Sequence, residues 1–165
     1  MVLPGLKQQL EHLIQSMAIE GILVEQQFAQ VQELQNPDNP NFVSRVLNDF
    51  CNGAETSITE LNKFLCQEQV EFNKLDISAH LLKGSSASIG AHQMFLATVE
   101  LLKAVDKEDK EKSLEALKKV THEYIRIQYK FQTIIQLENK IFDIESKPLL
   151  HDGKSAAGPS YSKNI

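Results

Sequence analysis

Apolar residues recur at intervals of three and four along almost the whole of this chain, and no stretch shows the alternation of a half-buried strand. That period restricts the fold to packed helices. Glycines (7) and prolines (5) are few, and Gly21, Pro37, Pro40, Gly90 and Pro148 mark segment ends. A first helix is expected from Leu3 to Ile19, with Leu6, Leu10, Leu13 and Met17 on one side. A second follows Gly21 and runs to about Leu34. Asn36-Pro37-Asp38-Asn39-Pro40 is a loop, since neither proline fits a helix interior. Phe42, Val46, Phe50, Ile58, Leu61 and Leu65 stripe a third helix, in which Asn52-Gly53 is a weak point. Asn73 is placed to cap a fourth helix, with Asp76 as its capping-box partner, and Gly90 to end it. A fifth spans Gln93 to Val105. After the solvated charges of Asp106–Lys112, a long sixth runs from about Lys110 to Glu145, with Leu114, Leu117, Tyr124, Ile127, Phe131, Ile134 and Ile141 on its buried side. The expected fold is all-α: an antiparallel four-helix bundle with two additional N-terminal helices. Residues 1–147 form the helical domain, and residues 148–165 a flexible C-terminal tail.

Composition narrows the function. At 165 residues the chain suffices for one domain with a real core. A net charge of −5 argues against non-specific nucleic-acid binding. No apolar run reaches the length of a membrane span, and the N-terminus lacks the basic-then-apolar pattern of a secretory signal. Cys51 and Cys66 are isolated and are expected to be buried free thiols in a reducing, intracellular compartment.

The run from His80 to Ala91 carries an unusual helix face. At about 100° per residue, Asn73, Asp76, Lys83, Gly84, Ala87 and Ala91 fall within about 60° of His80. Leu75, Ala79, Leu82, Ser86 and Ile89 fall on the far side with the spacing of a buried stripe. His80 therefore points away from the core, on a strip almost bare of bulk, where something large can reach it.

Other chemistry finds little support. His12, His92, His122 and His151 are scattered, with no paired-ligand spacing, and His92 reads as an exposed loop residue. Gly84 and Gly90 do not sit between a strand and a helix, so no phosphate-binding loop or autonomous kinase is indicated. Ser85, Ser86 and Ser88 lack a nucleophile elbow and read as small packing residues. A neutral imidazole at His80 is a competent nucleophile. Lys83 opposes a second positive charge and can stabilise an arriving phosphoryl group. Asp76 is placed to orient the ring or accept its Nδ1 proton, leaving Nε2 free, and Gly84 and Ala87 give access.

The run His80-Leu81-Leu82-Lys83-Gly84-Ser85-Ser86-Ala87-Ser88-Ile89-Gly90-Ala91 resembles the signature of histidine-containing phosphotransfer (HPt) proteins. Phe72-Asn73-Lys74-Leu75-Asp76 and Asn39-Pro40-Asn41-Phe42-Val43 resemble the free-standing plant type. The resemblance implies a helical bundle, with His80 as phosphoacceptor and Lys83 and Gly84 as its supporting residues. It implies that the phosphoryl group arrives from the receiver aspartate of a hybrid sensor kinase and leaves to a response regulator, in cytokinin-type signalling. It also implies a monomer moving between cytosol and nucleus, with no cofactor of its own, because Mg2+ belongs to the receiver. Three positions depart from the plant pattern: Leu81 stands for glutamine, Gln93 for a basic residue, and Asn52-Gly53 for an acidic pair. These leave a second reading, a receiver-binding module with weak or absent phosphotransfer, and a third, a helical scaffold, which gives the His80 strip no purpose.

Overall fold

A computed structural model of the chain describes the backbone of residues 2–157 and the side chains of residues 2–146. It contains six helices: α1 (Val2–Ile19), α2 (Glu25–Glu33), α3 (Phe42–Leu65), α4 (Phe72–Ile89), α5 (His92–Asp106) and α6 (Lys110–Ala157). No strand occurs among the described residues; only isolated bridges form, at Leu23 with Ala91 and at Asn36 with Asn39. Helices α3, α4, α5 and α6 pack in a closed ring, each against its chain neighbours and α6 back onto α3. Their short connections make neighbours antiparallel. Helix α1 lies on α6, and α2 bridges α1, α3 and α4. The expected architecture of a four-helix bundle with two N-terminal helices is the one observed.

Three phenylalanines mark where the added helices join the bundle. Phe131 of α6 is fully buried, stacked on Phe28 of α2 with centroids 6.2 Å apart and edge-on to Phe50 of α3 at 5.8 Å. Such pairs add to the burial term, so this contact holds α2 against the ring more firmly than its nine residues would by helix propensity.

Several local expectations change. Asn73 does not cap α4: the helix begins two residues earlier, with Glu71 at the cap and no side-chain cap bond. Phe72 packs against the core and draws the chain into the helix, while the Glu71 carbonyl accepts from the Lys74 and Leu75 amides. Asp76 is thereby released from capping. Helix α3 passes through Asn52-Gly53 without a break, its inner side held by buried Cys51 and Ala54. Cys66 is exposed, because α3 ends at Leu65 and the next residue leaves the packed face. His92 is half-buried and opens α5 rather than lying in a loop, and its amide bonds to the Ile22 carbonyl. Helix α6 does not stop near Glu145. It continues past Pro148 to Ala157. Of the expected tail, residues 158–165 lie outside the described residues.

The loop before α3 is tied down by Gln35. Its Oε1 accepts from the Val43 amide at 3.0 Å, and its Nε2 donates to Glu138 of α6 at 3.2 Å. Burial pushes the Glu138 carboxyl above its ordinary value of 4.5, the Gln35 bond opposes this, and Glu145 reinforces it. Folding thus favours the protonated acid, so this residue's contribution falls as pH rises from the ordinary carboxylate value through the raised one. Glu138→Gln keeps an acceptor for Gln35 and removes the charge. It should stabilise the protein at neutral pH by less than about 1 kcal/mol, because partial exposure screens the group. In thermal melts across pH, the difference from wild type should vanish as the acid protonates. Phe131→Ala should cost about 3–5 kcal/mol in denaturant titrations, as expected for emptying a large aromatic site.

Candidate functional site

The rotation of α4 about its axis places the site. Leu75, Ser78, Ala79, Leu82, Ser86 and Ile89 are buried against the bundle. His80 is left outside, with its side chain 58% exposed. Its Nδ1 lies 3.0 Å from the Asp76 backbone carbonyl oxygen and 3.4 Å from an Asp76 carboxylate oxygen. Both oxygens only accept, so Nδ1 is the protonated nitrogen. The neutral ring then carries its lone pair on Nε2, directed away from the helix. Asp76 thus faces the ring with its main-chain carbonyl as well as its carboxylate, the carbonyl being the nearer.

Two unlike rails flank the imidazole. On one side stand Asp76 and Lys83; Lys83 is half-buried and has no ion-pair partner among the described residues. On the other side Ile77 and Leu81 are 63% and 65% exposed, one turn apart. Gly84 lies just beyond His80, and a Cβ there would meet nothing within 4 Å. A glycine inside a helix costs about 1 kcal/mol relative to alanine. No contact within the chain requires it, so its clearance is directed outward.

Not every residue expected on this face is there. Ala87 is exposed beside Gly84, but Ala91 is fully buried. Gly90 adopts φ 81°, which ends the helix and turns Ala91 into the core. Of the three serines, Ser86 is fully buried and acts as a small packing residue. Ser85 and Ser88 are exposed, with hydroxyls donating to the Leu82 and Gly84 carbonyls. Gln93 is half-buried beside Gly21, where a Cβ would lie 3.2 Å from its Nε2. Among the described residues no group of three or more His, Cys, Asp or Glu side chains could hold a metal ion. Among the described residues no helix is long and apolar enough to cross a membrane.

The structure adds a feature that the sequence reading missed. A groove of about 450 Å³ opens between α2, α3 and α4, walled by Val31, Leu34, Phe42 and Val46 and reaching Ser85 and Ser88. Its α4 wall is the side that carries Ile77 and Leu81. Ile77 had a signal in the sequence: it is a large apolar residue outside the buried stripe. The groove had none, because its walls come from three separate helices.

Comparison with known proteins places this geometry in a class. The model of the Hpt domain matches residues 45–134, which span most of the bundle ring. The chain is 38% identical to histidine-containing phosphotransfer protein 2 of Oryza sativa subsp. japonica, over 86% of this chain and 95% of that protein. It is 36% identical to histidine-containing phosphotransfer protein 1 of Arabidopsis thaliana, over 80% and 85% respectively. A solved histidine-containing phosphotransfer protein from rice superposes with a TM-score of 0.80 at 38% identity, covering 86% of this chain and 99% of that one. The chain belongs to the histidine-containing phosphotransfer family, in its plant form.

Gly84→Ala separates the two demands on that position. It should raise stability by up to about 1 kcal/mol through helix propensity. It should also slow phosphoryl exchange with a receiver by about tenfold or more, since small misplacements of reacting groups carry large rate penalties. A parallel measurement of melting temperature and transfer rate checks both halves.

Proposed function

We propose that His80 is the phosphoacceptor of a relay between receiver domains. The observation that carries this reading is the exposed ring whose Nδ1 is committed to Asp76 and whose Nε2 is free. Phosphoryl relay in two-component signalling is the function of the family to which the chain belongs. The incoming group is an aspartyl phosphate on the receiver of a hybrid sensor kinase. Nε2 attacks phosphorus in line, a nitrogen–phosphorus bond forms, and the phosphorus–oxygen bond to the aspartate breaks. The carboxylate leaves with the electron pair. The Nδ1 proton stays in place, and the Asp76 oxygens stabilise the positive charge the ring acquires. Lys83 offsets charge on the phosphoryl oxygens. Return transfer to a response-regulator aspartate is the same step reversed.

The reading extends to partners and setting. Ile77, Leu81 and the adjoining groove form the apolar ground on which a receiver docks, with Gly84 giving room beside the ring. Magnesium is carried by the receiver, and this chain needs no cofactor of its own. It works as a monomer between cytosol and nucleus, in cytokinin-type signalling, without binding nucleic acid or entering a membrane.

Incubation with a phosphorylated receiver should place an acid-labile, alkali-stable phosphate on His80, and His80→Gln should take up none. Label persisting in that variant would sink the assignment. Receiver affinity measured alongside separates the relay from a binding module: normal binding by the wild-type chain with negligible transfer would favour the module.

A further inference from the structure

The turn between α1 and α2 is clipped onto the end of the helix that carries His80. The Val24 amide donates to the Gly90 carbonyl at 2.8 Å, and the His92 amide donates to the Ile22 carbonyl at 2.9 Å. Gln27, in the first turn of α2, donates from Nε2 to the Ser88 carbonyl at 3.1 Å. The last carbonyls of a helix lack partners within it. Here those of Ser88 and Gly90 are taken by the start of α2. Gly90 makes the approach possible: its φ is 81°, and a Cβ would lie 3.0 Å from the Val24 carbonyl oxygen and 3.2 Å from Gln27 Cβ.

We propose that this clip is a positioning device for phosphotransfer, in which Gly90 and Gln27 set where α2 stands relative to His80. The inference rests on His80 being the phosphoacceptor. Besides the Gln35 bonds to Val43 and Glu138 just past its C-terminus, helix α2 has two attachments in its N-terminal half. Phe28 is buried against Phe131 and fixes its depth, but a single ring leaves the helix free to pivot. The clip at its N-terminus is the second point, and two points define an axis. Leu34, 60% exposed, stands at the opposite end and walls the groove beside α4. A helix of nine residues is about 13 Å long, so a tilt of about 10° at the clip moves the far end by about 2 Å. That is enough to misplace a docked receiver, although neither Gln27 nor Gly90 touches the phosphoryl group.

The test uses the full chain, a phosphorylated receiver and phosphoramidate, a small phosphodonor that needs no docking. Gln27→Ala should raise KM for the receiver about threefold to tenfold, the scale of one lost hydrogen bond. Transfer at saturating receiver and labelling of His80 by phosphoramidate should not change. In a Leu34→Ala background, Gln27→Ala should have no further effect, because the wall it positions is already gone. Gly90→Ala should raise KM more; if it does not fold, Gln27→Ala decides alone. An unchanged KM overturns the proposal. So does an effect that multiplies with Leu34→Ala, or an equal loss of phosphoramidate labelling. A wild-type chain that takes no label from the receiver would instead count against the His80 assignment.

Discussion

Leu75, Ala79, Leu82 and Ile89 press α4 into the bundle, and that contact sets the helix's rotation about its axis. Burying a leucine or isoleucine side chain is worth about 1.5–3 kcal/mol, so three of them exceed the penalties the rest of α4 carries. Those penalties are a mid-helix glycine, a missing side-chain cap and two large apolar residues left in water. A shift of the stripe by one residue would turn the helix about 100° and carry His80 off its outward line. The nucleophile is thus held in place by residues on the opposite side of its own helix.

Once α4 is locked, the chemistry of the imidazole follows from what lies a turn before it. Asp76 would be spent on an amide if it capped the helix. Because Phe72 draws the helix start forward, the carboxylate is free and faces the ring along with its own carbonyl oxygen. In the proposed relay, the charged rail of Asp76 and Lys83 and the apolar rail of Ile77 and Leu81 divide the labour, one toward the phosphoryl group and one toward the protein that brings it. A receiver meets a site that presents clearance and orientation but no enclosed pocket, which suits a carrier that must both accept and release.

The helix phases were legible from residue spacing, and so was the site. The stripe of α6 and that of α3 from Phe50 onward reappear as buried faces, whereas Phe42 and Val46 stand half-buried at the groove; the left-handed Gly90 ends α4, and His80 lies opposite the stripe. Ends and surfaces were read less well. The cap of α4, the reach of α6 past Pro148, the exposure of Cys66 and the burial of Ala91 all depend on what a neighbouring segment covers. A helical wheel assumes the helix goes on, and it placed Ala91 beside His80 only because it could not see the chain leave the axis at Gly90.

What spacing alone carries is therefore the all-helical class, the buried side of each helix and the outward histidine, since a period of 3.6 residues relates side chains within one segment. Which helices meet is not encoded in any single period. The Phe28–Phe131–Phe50 junction, the groove under Leu34 and the clip of Val24 and Gln27 onto α4 join residues tens of positions apart. They exist only after the helices have packed, because burial and backbone pairing between segments decide them.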